Sequence, residues 1–188
     1  QPWLGPEPLS PEEGAWPLWS ASRQPYPGRE EPNEPDARRL DEIARSYVDA
    51  VIRAEAAGFD LIEFHCAHGY FINSFLSPLS NTRSDEWGGD LEGRMRYPLE
   101  VFRRMRAAWP AHKPMGARIS ASDWVAGGWD AASSVVFAGR LKEMGCDYIA
   151  ISSGGLSAEQ KIPVGPGYQV PLSAEVRAGA GIPTMAVG

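Results

Sequence analysis

Gly58-Phe59-Asp60-Leu61-Ile62-Glu63-Phe64-His65-Cys66-Ala67-His68-Gly69-Tyr70 is the stretch on which the fold turns. Gly58 closes a helical pattern in which Leu40, Ile43, Tyr47, Val51 and Ala54 share one face. The run Phe59–Phe64 is short and largely apolar, and it reads as a buried strand. Residues able to do chemistry, His65, His68 and Tyr70, follow it directly. Helix, buried strand and polar mouth form the repeating unit of a parallel α/β sheet.

The unit recurs toward the C-terminus. A second helix is expected from about Leu91 to Trp109, stopped by Pro110 and kinked or interrupted at Pro98. A strand at Pro114–Ser120 follows. Next come a helix from Ala131 to Met144 with Asp130 as its N-cap, a strand at Asp147–Ser152, a short helix near Ser173–Ala178 and a strand at Pro183–Val187. Polar residues again trail the strands: Ser120 and Asp123, then Ser152 and Ser153. An open doubly wound sheet and a closed (β/α)8 barrel both satisfy this order. No Gly-x-Gly-x-x-Gly follows a strand, which disfavours the open dinucleotide-binding sheet. Convergence of polar residues beyond strand ends suits the catalytic face of a barrel. With four strands legible, the expectation is a partial (β/α)8 TIM barrel, about strands 4 to 7 with their helices. Ala186-Val187-Gly188 stops directly after a strand, so a piece of a longer chain is expected.

Residues 1–35 differ. Their prolines forbid regular helix or a central strand, yet Trp3, Trp16, Trp19 and Tyr26 are unlike a disordered linker. We expect an irregular Pro/Trp-rich loop over 1–35 packed through its aromatic side chains onto the barrel portion, 36–188.

Composition narrows the function classes. The 188 residues are 43% apolar, enough for a globular core, and carry a net charge of −6. An acidic chain is a poor partner for nucleic acid. No apolar run reaches membrane-span length, and no basic-then-apolar leader opens the sequence. The two cysteines, Cys66 and Cys146, suggest free thiols rather than a disulfide framework. A soluble, cytoplasmic protein is the expectation.

Two of the chain's three histidines, His65 and His68, stand beside Tyr70, which favours a functional site over polar loop residues. Neutral imidazole N–H groups can hold a developing oxyanion, and a positioned phenol can give a proton. A zinc site would need a third protein ligand, and no nearby pattern supplies one, so no metal is expected. Cys66, between the two histidines, reads as a packing residue.

Ala57-Gly58-Phe59-Asp60 through His65-x-x-His68-Gly69-Tyr70 resembles the Old Yellow Enzyme family, in its bacterial thermophilic-like branch. So do Phe75-Leu76-Ser77-Pro78-Leu79-Ser80-Asn81-x-Arg83-x-Asp85-Glu86-x-Gly88-Gly89 with Glu92, Arg94 and Arg96, Ala117–Asp123, Ser152-Ser153-Gly154, and Pro166-Gly167-Tyr168-Gln169. The resemblance covers about residues 36–188. It implies an FMN-dependent, NAD(P)H-driven ene-reductase acting on α,β-unsaturated carbonyl compounds, with hydride passing from flavin N5 to the alkene β-carbon. His65 and His68 match the family's carbonyl clamp and Tyr70 its proton donor. Arg118 matches the arginine beside the flavin ring, Gly188 the start of a flavin-phosphate loop, and Gln1 the position of a flavin-ring glutamine. Arg83, Asp85, Gly88, Gly89 and Arg94 match a structural loop. A homo-oligomer is open for the full-length protein. Gly14–Ser22 resembles, more loosely, reductase-like modules fused to aromatic-CoA hydroxylases, so a module acting on aromatic acyl-CoA thioesters is the alternative. A 2,4-dienoyl-CoA reductase is weaker, because the cysteines of its iron–sulfur cluster are not seen here. A flavin-less binding module of the same fold is the non-enzymatic rival.

Overall fold

The structure, a computed structural model, describes residues 9–187. Helix α1 spans Ala37–Ala56, β1 Ile62–Cys66, α2 Phe71–Leu76, α3 Leu91–Ala108 and β2 Met115–Ser120. Helix α4 spans Ala131–Glu143, β3 Ile149–Ser152, α5 Val170–Ala180 and β4 Thr184–Ala186. The four strands form one parallel sheet in the order β1-β2-β3-β4. Strand order equal to chain order, with helices in the crossovers, is the arrangement of a (β/α)8 barrel, here in part.

Register decides which residues share a face. Phe64, Ala117 and Ile149 are paired across the sheet, as are Cys66 with Ile119 and Ile119 with Ile151. All six are buried. Phe64 lies edge-on to Tyr47 of α1 at 5.6 Å and against Phe102 of α3 at 6.1 Å, so helices cover this face. Burial of such an aromatic side chain contributes roughly 2–3 kcal/mol. The opposite face carries Glu63, His65, Arg118, Ala150, Ser120 and Ser152, because side chains alternate along each strand.

Helix starts follow local chemistry. Asp36, Asp90 and Asp130 each accept a hydrogen bond from a backbone N–H of the first turn of α1, α3 and α4. Helix α3 runs on through Pro98, against the expected interruption. Pro98 removes one helical hydrogen bond, but Met95, Tyr97, Val101 and Phe102 around it are buried and hold the helix in place. The first strand begins later than its apolar run. Phe59 and Leu61 are exposed, and pairing starts only at Ile62, opposite Met115. Pro114 has no N–H to extend that ladder. His65 and Cys66 therefore belong to the strand instead of following it. Helix α5 is longer than expected and β4 shorter. Helix α2 was not anticipated.

Residues 9–35 contain only a 3-10 turn at Pro11–Glu13 and an isolated bridge between Trp19 and Asn33. Their anchors are small and polar as much as aromatic. Ala21 N–H donates to Ser74 Oγ of α2 at 2.9 Å, and Thr82 N–H donates to Ser22 Oγ at 2.9 Å. Arg83 donates to the carbonyls of Ala21 and Pro35, 3.0 Å each, and its guanidinium pairs with Asp85. Trp19 lies under the Arg39 guanidinium at 4.6 Å, whereas Trp16 is exposed. Trp3 falls outside the described residues. Among the described residues, no helix is long and apolar enough to cross a membrane.

Candidate active site

His65 sits in β1 directly opposite Arg118 in β2, so both side chains rise from the same face of the sheet. His68 lies in the turn beyond β1, and Tyr70 immediately precedes α2. The ring of His65 is 5.4 Å from that of His68 and 5.6 Å from that of Tyr70. The structure thus brings together His65, His68, Tyr70 and Arg118 at the C-terminal end of the sheet. Tyr70 is 66% exposed and available to a ligand. Gln1 and Gly188 lie outside the described residues.

The turn that carries His68 is built by its neighbours. His68 has φ 60°, which a non-glycine residue adopts only at some cost in backbone energy. Its N–H donates to Ser120 Oγ at 3.0 Å, and that hydroxyl donates to the carbonyl of Gly154 at 2.8 Å. The His68 ring meets Ser152 Oγ through Nε2 at 2.7 Å. Gly69 N–H donates to the buried Asn73 Oδ1 at 2.7 Å, tying the turn to α2. Two glycines make the close approach feasible. A Cβ on Gly155 would stand 2.6 Å from His68 Cα, and one on Gly69 would stand 2.7 Å from the Gly155 carbonyl oxygen. Ser120, Ser152, Asn73 and Gly155 are therefore site residues that pattern reading did not assign. The two serines were visible as polar residues trailing strands. Gly155 carries no signal without knowledge of which turns touch.

Electrostatics favour neutral imidazoles. Burial, and then the nearby Arg118 cation, hold His65 below its ordinary pKa. Burial, Arg118 and His65 do the same for His68. Two neutral N–H donors beside a fixed cation can accommodate an oxygen that gains negative charge. Arg118 Nε is buried and has no hydrogen-bond partner among the described residues. Such an orphaned donor suits an electron-rich ring edge, so the residues present fit a flavin. Among the described residues, no group of three or more His, Cys, Asp or Glu could hold a metal ion. Cys66 is fully buried and burial pushes its thiol well up, so it is no nucleophile. Beside Tyr70 opens a cleft of about 380 Å³. Trp19, Tyr26, Phe71, Leu79 and Leu156 line it.

Residues 24–188 match the family described as NADH:flavin oxidoreductase / NADH oxidase. The chain is 45% identical over 157 residues to the NADPH dehydrogenase of Geobacillus thermodenitrificans, covering 84% of this chain and 45% of that protein. The chain thus spans about half the length of the curated relatives it matches. Among solved structures, a 2-naphthoyl-CoA reductase in complex with 2-naphthoyl-CoA superposes with a TM-score of 0.82 at 25% identity, over 90% of this chain and 27% of that one. Morphinone reductase gives 0.74 at 23% identity, over 92% of this chain and 50% of its own, and so speaks for the fold alone.

Proposed function

Because the chain belongs to the NADH:flavin oxidoreductase / NADH oxidase family, we propose that the protein is an FMN-dependent, NAD(P)H-using reductase of activated C=C bonds in small α,β-unsaturated carbonyl compounds. The observation that carries this reading is the gathering of His65, His68, Tyr70 and Arg118 at one end of the sheet. Arg118 would hold the ring of the flavin, and Gln1 and Gly188 are assigned to it by resemblance. When bound, the flavin supplies a hydride that originates in NAD(P)H. His65 and His68 donate hydrogen bonds to the substrate's carbonyl oxygen as it gains charge. Loss of one such donor costs about 3–4 kcal/mol in the transition state. Tyr70 gives a proton to the carbon next to the carbonyl, and its exposure leaves it room to meet that carbon. Burial, and then the positive charge of Arg118 beneath the site, keep both imidazoles neutral. Both cysteines are buried and unbridged, which suits a reducing compartment such as the cytoplasm.

A second reading, reduction of aromatic acyl-CoA thioesters, draws support from the TM-score to the 2-naphthoyl-CoA reductase and from the aromatic lining of the cleft beside Tyr70. One assay separates the readings. The full-length protein is given NADPH and either cyclohex-2-enone or an aromatic acyl-CoA, without oxygen, and products are identified. Saturated ketone supports the first reading, and a reduced ring on the thioester the second. NADPH oxidation only when oxygen is admitted would overturn both.

A further inference from the structure

Ser152 is 6% exposed, and its hydroxyl meets one group among the described residues, Nε2 of His68 at 2.7 Å. A serine hydroxyl has one proton to donate. If Nε2–H donated to Ser152, the serine's hydroxyl proton would lack an acceptor in a nearly buried position, the costlier arrangement. If Ser152 donates to Nε2, the hydroxyl is satisfied and the imidazole proton stands on Nδ1. Nε2 is then occupied, and Nδ1–H is the group His68 has left for a ligand. Ser120 holds the backbone of the same residue through the His68 N–H, and it is paired with Ser152 across the sheet. The two hydroxyls at the ends of β2 and β3 thus fix the turn and the ring together.

We propose that Ser152 is a positioning residue that sets the Nδ1–H tautomer of His68, so that this histidine presents Nδ1–H to the substrate carbonyl. The proposal rests on the carbonyl-holding role assigned to His68 above. The tautomer itself is read without substrate, so the two can fail separately.

The test uses the full-length flavoprotein labelled with ¹⁵N-histidine, with the His68 signals assigned by their loss in His68→Asn. Multiple-bond ¹H–¹⁵N correlations should show a protonated Nδ1 and an unprotonated Nε2 at His68. Ser152→Ala should move the ring toward Nε2–H and weaken enone binding about tenfold, while Ser152→Thr keeps both properties near wild type. Nε2–H at His68 in the wild type would overturn the proposal, even if Ser152→Ala does not fold. So would a Ser152→Ala protein whose tautomer and enone affinity are unchanged. A wild type with Nδ1–H that reduces no enone leaves the tautomer assignment standing and sinks the reading of function alone.

Discussion

Gly155 shows how much of the site depends on a residue with no side chain. Its φ is 92°, and any Cβ there would meet His68 Cα at 2.6 Å. Gly155→Ala should therefore cost about 1–3 kcal/mol in urea unfolding of the full-length protein and lower enone affinity as His68 shifts. Unchanged affinity would mean that the turn carrying His68 does not rest on Gly155. The histidines also set a pH dependence. Both are held below the ordinary value of about 6.5. The unfolded chain then binds more protons than the folded one as pH drops below that value. Their contribution to stability is full above it and is lost as pH falls through the depressed pKa values. Affinity for a carbonyl ligand should be flat from neutral pH upward, and urea unfolding should show stability declining only well into acid, as titration across pH will show. His65, His68 and Tyr70 stood out in sequence as chemistry-bearing types beside a strand, and Arg118 entered through the family resemblance. The positive φ of His68 and its contact with Gly155 were not, because they arise only when two distant turns meet.

The elements divide in the same way. Helices α1, α3 and α4 were legible because apolar spacing and an aspartate or glycine at an end state the same boundary. The strand beyond Gly58 was placed three residues early, since an apolar run does not reveal where its partner, limited by Pro114, begins to pair. Helix α2 was missed because its six residues are too few for a helical period to stand out. It nonetheless carries Asn73 and Ser74, which hold the turn at His68 and the segment at Ala21. Arg83 completes that attachment, with a side chain only 5% exposed and donors committed to Ala21, Pro35 and Asp85. Lysine's three donors radiate from one nitrogen and cannot reproduce the planar fork whose separate nitrogens reach all three. Arg83→Lys should destabilise the protein by roughly 2–3 kcal/mol and speed proteolysis between residues 18 and 35. Wild-type cleavage rates would show that the segment is held by other contacts.

Among the described residues, the sheet has two open edges, at β1 and β4. Phe59, Leu61 and Ile62 line an apolar groove beside β1, and Met185 of β4 is exposed at the other edge. Edges with free N–H and C=O groups, together with bare apolar surface, favour association. Residues 1–188 expressed alone should purify colourless, associate, and fail to bind FMN tightly. Flavin fluorescence and a thermal melt will check this, and stoichiometric binding by a cooperatively melting monomer would contradict it. The partial barrel was legible in the order of helices and strands, whereas the exposed apolar edges were not, since apolar spacing does not say which strand lacks a neighbour. The face that carries His65 and Arg118 is the one proposed to perform alkene reduction. Anaerobic stopped-flow on the full-length protein tests it most directly, with the two half-reactions followed in wild type and Tyr70→Phe. NADPH should bleach the flavin absorbance equally in both, and an enone should restore it roughly a hundredfold more slowly in Tyr70→Phe. Equal slowing of both half-reactions, or a full-length protein that neither carries nor takes up flavin, would overturn the proposed reaction.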